Sequence, residues 1–408
     1  MKLFEKTWFV ILLMLPFVKP PCLEYMTNLS IVDRSFDILR IISFAVIIYH
    51  YLKSGKISTF MIFLILFQGT LFISTIANHG NYWKQIVICG TIISFCMLAE
   101  LCIKTNCHIF FRAVIVIYNL LIWANFLLYL IFPHGIVKDN YYGNEYHLLG
   151  IRNGLPPLFI PIMGLAVLYS AVNGKRMTLT SLSLLLCITI TTIITWSATG
   201  VVGWFFMAVY IIFIYRSRLT AVFNSLFLYL LYALAFISIV LLRLQYYFSY
   251  IIEDVLHKNI TFTGRTDIWD ISINLIKRSP IIGYGVYEGH GFVFYRGQYY
   301  YSHNAILEIL IQGGAIALIF FIAMLVVSCI SLYRYKNNHI SGIITFTVFT
   351  LLSMMIMEAY LSYIWTFGIL TVSCCVGDII RQTEELPSQN KASTNSTRLR
   401  YIRYRMSR

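Results

Sequence analysis

"RGQYYYSHNAILEILIQGGAIALIFFIAMLVVSCI", residues 296–330, changes character at one point. Up to Asn304 it is polar: Arg296, Gln298, three tyrosines, Ser302, His303 and Asn304. From Ala305 to Ile330 it is apolar, and Glu308 is its one charged residue. An apolar run of about 20 residues crosses a bilayer as a helix. The polar half then lies at a membrane surface, with His303 at the seam.

The whole chain has the same bias. Of its 408 residues 59% are hydrophobic and 12% charged, and the mean hydropathy is +0.76. A soluble domain carries about 25% charge. So much apolar surface cannot be hidden in one core, so the solvent is lipid. Twelve windows are long and apolar enough for spans, roughly 7–19, 36–52, 58–77, 85–103, 113–132, 155–172, 179–196, 199–215, 226–242, 306–330, 341–361 and 363–378. The first resembles a signal-peptide core in length, but "KPPCLEY" follows it in place of a small-residue cleavage site, so it reads as a span. The seventh and eighth meet at a tight turn, "WSATG".

Lys and Arg in short loops set the orientation. With the N-terminus inside, the inner loops hold Lys53 and Lys56, Lys104 and Arg112, Lys175 and Arg176, Arg216 and Arg218, and Arg334 and Lys336. The outer short loops hold fewer, and both termini are expected in the cytoplasm. The net charge of +14 is therefore largely topology and not a nucleic-acid footprint. The expected division is a membrane-embedded domain over 1–378, including a large outer loop at 243–305, and a basic cytoplasmic tail over 379–408. That tail suits anionic inner-leaflet lipids at ~1 kcal/mol per basic residue. The nine cysteines show no metal or disulfide spacing and read as small apolar residues.

Function is expected on the outside, where the polar segments are long. "GRTDIWDISINLIKRSP" in the large loop predicts an amphipathic helix lying in the interface, with acids at its start, bases at its end and Pro280 after it. "IIGYGVYEGHG" is a glycine turn region, and its "GYG" lacks the strand–helix context of a dinucleotide fingerprint. Tyr299, Tyr300 and Tyr301 suit an interfacial belt or a sugar-stacking surface. Arg40 lies inside the second span with Asp37 one turn away as a partner, and Glu308 lies inside the tenth.

The ordered set G-R-x-x-x-W, amphipathic helix, K/R-S-P-I-I-G-x-G, S-H-N-x-x-L and G-G, over about 264–320, resembles the signature of the O-antigen polymerase/ligase superfamily. That superfamily comprises Wzy-type polysaccharide polymerases and O-antigen ligases. The fold it implies is an all-α polytopic membrane protein of about twelve transmembrane helices, GT-C-like, with one large extracytoplasmic loop. The implied reaction is inverting glycosyl transfer at the outer face of a bacterial inner membrane. The donor is a lipid-linked oligosaccharide on undecaprenyl diphosphate, and for a polymerase the acceptor is another. Anionic lipids and a chain-length regulator are the further partners. No metal and no cofactor are implied.

Such a transfer demands a general base for the attacking hydroxyl and fixed cations for the leaving diphosphate. By the motif, His303 matches the base and Arg265 the diphosphate-binding arginine, while Gly313 and Gly314 match the small residues after it. The sequence departs from its relatives in the turn between the seventh and eighth spans. Many carry a serine-arginine pair there, where this chain has Ser197-Ala198-Thr199-Gly200. A second cation would come from Arg152, Arg243 or Arg296. Arg40, Glu308 and Tyr301 complete the candidate substrate contacts. The plain alternative for His303 is a headgroup contact, and for the arginines an interfacial anchor. The rival functions are an O-antigen ligase and a lipid-linked oligosaccharide flippase. A flippase should show repeated halves and charges along a central path, and the sequence shows neither.

Overall fold

The computed structural model describes residues 2–139, 143–244, 247, 264–286 and 291–385. The basic tail from residue 386 and most of the 243–263 segment lie outside the described residues. Over the described residues the chain is mostly helical. Its helices are α1 (Thr7–Met14), α2 (Ser30–Lys53), α3 (Thr59–Ala77), α4 (Tyr82–Ile131), α5 (Pro156–Val172), α6 (Leu179–Thr195), α7 (Ala198–Val209), the one-turn α8 (Leu219–Val222), α9 (Ser225–Phe236), α10 (Arg265–Arg278), α11 (Ala305–Tyr333), α12 (His339–Met354) and α13 (Ile364–Cys374). Two small antiparallel hairpins interrupt them. One joins β1 (Val137–Lys138) to β2 (Glu145–Tyr146), and the other joins β3 (Val293–Tyr295) to β4 (Gln298–Tyr300).

Among the described residues four helices are long and apolar enough to cross a membrane: Thr59–Ala77, Tyr82–Ile131, Arg152–Val172 and Ala305–Tyr333. A fifth span is formed if Ile364–Cys374 and Val376–Glu385, bent by 59°, count as one. Five shorter apolar helices accompany them. This is a polytopic membrane protein. The expected twelve windows all fall on helix, but they differ from it in three ways. α2 is long enough, but its first half carries Asp33, Arg34, Asp37 and Arg40. The fourth and fifth windows are one helix by hydrogen bonding, broken at Asn106, whose backbone is extended (φ −159°, ψ 100°). The break leaves an orphan donor and acceptor, and the Gln382 side chain takes both. Its Oε1 accepts from Cys107 N (2.8 Å) and its Nε2 donates to the Ile103 carbonyl (2.8 Å). The eleventh window, 341–361, is helical only to Met354, and residues 355–363 form a loop. The carbonyls of Met355 and Ile356 there accept from Ala305 N (3.0 Å) and Asn304 Nδ2 (2.8 Å). Irregular backbone at this depth is tolerated because neighbouring protein satisfies it.

Helices meet here mainly by close packing, since lipid is as apolar as leucine. Gly164 of α5 touches α12 so closely that a Cβ would fall 2.0 Å from Thr347 Oγ1.

The glycine pair of α11 has a different use. Gly314 adopts φ +63°, which opens the helix. The segment after α10 enters the opening. Tyr284 N donates to the Ile311 carbonyl (2.7 Å) and Gly285 N to that of Gln312 (2.8 Å), while Ala315 N donates back to the Pro280 carbonyl (2.8 Å). Val286 N then reaches Thr75 Oγ1 at the end of α3 (2.9 Å). Residues 280–286 are thus stapled between α3 and α11, which fixes α10 just before them. A Cβ on Gly314 would lie 2.1 Å from the Ile281 carbonyl oxygen. Gly314→Ala is therefore expected to cost at least the ~1–3 kcal/mol of a strained non-glycine backbone, plus the displaced staple. Thermal unfolding of the purified variant checks this, and an unchanged midpoint would contradict it.

Candidate functional site

α10 begins at Arg265, after Gly264 in the left-handed conformation (φ +85°). It is the expected amphipathic helix, with Asp267 in its first turn and Lys277 and Arg278 in its last. Ile268, Trp269 and Ser272 are buried. Burying a side chain such as Ile268 is worth roughly 1.5–3 kcal/mol in water, so this face holds the helix down. Tyr295 of β3 donates to Asp267 Oδ2 (2.8 Å), and that bond raises the phenol above its ordinary range.

His303 sits between β4 and α11 with φ +49°. A bulky residue rarely holds that conformation unless its surroundings impose it. Here the residues on both sides are tied. Ser302 N donates to Glu308 Oε2 (2.8 Å), and Glu308 Oε1 accepts from Gln312 Nε2 (2.8 Å). Ser302 Oγ donates to the Asn304 carbonyl (2.8 Å). Asn304 caps α11 by accepting from Leu307 N (3.0 Å). Its amide reaches the Ile356 carbonyl, so the histidine loop and the 355–363 loop form one unit.

That unit brings in Glu358. Its Oε1 lies 2.5 Å from Arg265 Nη2, and its Oε2 accepts from His303 Nδ1 at 3.1 Å. The carboxylate is buried, and a buried charge needs partners of this kind. One carboxylate therefore joins the two residues that the motif singles out. A carboxylate can only accept, so in the neutral imidazole this contact places the hydrogen on Nδ1 and leaves the lone pair on Nε2. Arg265 commits one nitrogen to Glu358, and its position at the start of α10 adds the helix dipole to its own charge. This is a cationic group beside a proton acceptor, with both orientations fixed.

The other sequence candidates are placed as follows. Arg243 is bound to α10: it donates to Asp270 Oδ1 (2.8 Å) and the Thr266 carbonyl (3.2 Å), and lies 4.9 Å from the Trp269 ring centroid. Among the described residues its Nη1 is buried without a partner. Arg152 is exposed and lines a narrow cleft with Thr195, Ser197 and Gly200. Its neighbour Asn153 accepts from Ser197 Oγ (3.1 Å) and, through its carbonyl, from Tyr360 (3.4 Å). The Arg152 cleft thus borders both the turn that lacks the arginine and the loop that carries Glu358. Arg296, at the tip of the β3–β4 hairpin, lies 5.0 Å from the Tyr295 ring centroid. Tyr301 is exposed beside Ser302. Glu308 holds the backbone before His303 and makes no hydrogen bond to its ring. Arg40 stands apart, 3.5 Å from Asp37 and 3.4 Å from the Pro16 carbonyl. That pairing with Asp37 is the structural role the sequence offered for it.

The family comparison falls on this site. The model of the O-antigen ligase family (Wzy_C) matches residues 182–322, from α6 to the middle of α11. Residues 182–322 are an O-antigen ligase domain. The domain contains Arg243, Arg265, Arg296, Tyr301, His303 and Glu308, while Glu358 and Arg152 lie outside it. No curated protein and no solved structure matches the chain. Enzymes of the O-antigen ligase family are glycosyltransferases of lipid-linked polysaccharide assembly.

Glu358 is the site residue that the sequence reading missed. It lies in the 341–361 window, whose average is apolar, and a carboxylate inside an apolar window is itself a signal.

Proposed function

We propose that the chain is a polysaccharide polymerase, working at the outer face of a bacterial membrane with both termini in the cytoplasm. It joins repeat units carried on polyprenyl diphosphate into a capsular or O-antigen polymer. His303 Nε2 takes the proton of the acceptor hydroxyl as the oxygen attacks the anomeric carbon. The bond from that carbon to the diphosphate breaks on the opposite side, so the configuration inverts. The leaving diphosphate keeps the electron pair, and Arg265 neutralises it with help from Arg152 or Arg243. The observation that carries this reading is Glu358, which binds the cation and orients the base at once.

Arg265→Lys should be nearly as damaging as Arg265→Ala. A lysine ammonium is a point charge and cannot pair with a carboxylate and a diphosphate through a planar fork. In vitro turnover checks this, and wild-type polymer from the lysine variant would reduce Arg265 to a diffuse electrostatic contact.

The reaction class is tested by giving purified protein a lipid-linked repeat unit. A ladder of lengthening products is expected. Transfer only to an added lipid or protein acceptor would identify a ligase.

A further inference from the structure

A second polar cavity lies at the other end of the molecule. α12 runs from His339 to Met354, next to the loop of Glu358. At 1.5 Å per residue it places its two ends about 24 Å apart. At the His339 end, Arg216, Ser217, Thr220, Asn337 and His339 line a cavity of about 410 Å³, within the range of small-ligand sites.

We propose that this cavity binds a phosphate group, that of an anionic phospholipid headgroup or of free phosphate. This site is independent of the glycosyl-transfer reading.

The lining carries the argument. None of the five residues is acidic. The hydroxyls of Ser217 and Thr220 both donate to the Ile214 carbonyl (2.7 and 3.1 Å), so they build the wall of the cavity. The N–H donors come from Arg216, Asn337 and His339, on two separate segments of chain. Arg216 is held in place beforehand: its Nη2 donates to the Lys175 carbonyl (3.3 Å), and its guanidinium lies 5.3 Å from the Tyr215 ring centroid. Its other N–H groups make no ion pair among the described residues. Arg216 is exposed, and a guanidinium tethered through one nitrogen with N–H groups to spare matches phosphate oxygens.

The neighbouring cavity at the same end differs in just this respect. It is lined by Arg334 and Arg381, but also by Asp378, which lies 2.9 Å from Arg381 Nη2 and already neutralises it. The Arg216 cavity has no such competitor in its lining. Its place at the end of the apolar helices is also where lipid phosphates lie.

The test uses the full chain in native mass spectrometry, released from nanodiscs of phosphatidylcholine alone or with phosphatidylglycerol, and separately from phosphatidylcholine with inorganic phosphate in the buffer. Three variants are compared with wild type: Arg216→Gln, His339→Gln and Arg218→Gln. Arg218 is exposed, two residues away, and does not line the cavity, so it reports generic surface charge. Retention of an anionic adduct should fall about tenfold in Arg216→Gln, fall in His339→Gln, and stay near wild type in Arg218→Gln. An adduct of phosphatidylglycerol identifies a lipid headgroup as the source, and one of inorganic phosphate identifies the free ion. Equal retention in all three variants and wild type, or equal losses in Arg216→Gln and Arg218→Gln, would overturn the site. Using His339→Gln alongside keeps the comparison decisive if Arg216→Gln fails to fold.

Discussion

Purified His303→Gln protein should transfer sugar about 10²–10⁴ times more slowly than wild type, the usual contribution of a positioned base. At 1.36 kcal/mol per decade that is about 2.7–5.4 kcal/mol of barrier. Glutamine is the telling replacement. Its amide can still donate to Glu358, so the contacts between the His303 loop and residues 355–358 need not open. It has no basic lone pair, so it cannot accept the hydroxyl proton as Nε2 would. The loss should therefore fall on kcat, with donor affinity near wild type. Turnover and donor binding, measured separately, check both halves. A variant that keeps most of its turnover, or loses it only through donor affinity, would make His303 a binding residue.

Glu358 should be nearly as sensitive. Glu358→Gln removes the charge that Arg265 faces and leaves one amide oxygen for two donors; with that oxygen toward Arg265, an NH2 group faces Nδ1 in place of the acceptor that fixed its hydrogen. Removing such a carboxylate behind a catalytic histidine costs on the order of 10⁴ in the serine proteases, where the wrong tautomer results. Glu358→Ala goes further and leaves the part-buried Arg265 guanidinium unpaired. Because Arg265 keeps some exposure, the stability cost should be below the ~3–5 kcal/mol of a fully buried broken pair. Residues that act as one unit are non-additive. Adding Glu358→Gln to His303→Gln should thus slow the enzyme little beyond His303→Gln alone. Losses that multiply would mean that Glu358 does not work through the histidine.

His303 and Arg265 were legible as candidates because each stands in an ordered motif within residues 264–320. So was the pairing of Arg40 with Asp37, since residues three apart on a helix are neighbours. Glu358 was not, because the contact is long-range: it lies 55 residues from His303 and 93 from Arg265. A hydropathy window also averages one carboxylate away. The same averaging hid the end of α12 at Met354 and the opening of α11 at Gly314. Both depend on hydrogen bonds from a neighbouring segment, which periodicity along one helix does not register. Glu308 shows the limit in another way. The sequence offered it as a candidate substrate contact, and the structure gives it the Ser302 backbone and the Gln312 side chain.

The most direct test of the account measures two products of one reaction. Purified protein is given lipid-linked repeat unit, and polyprenyl diphosphate released is counted against glycosidic bonds formed, for wild type and for His303→Gln. The account predicts one diphosphate per bond of inverted configuration in wild type, with both products lost together in the variant. Bonds formed with retained configuration, or without diphosphate release, or undiminished in the variant, would contradict it.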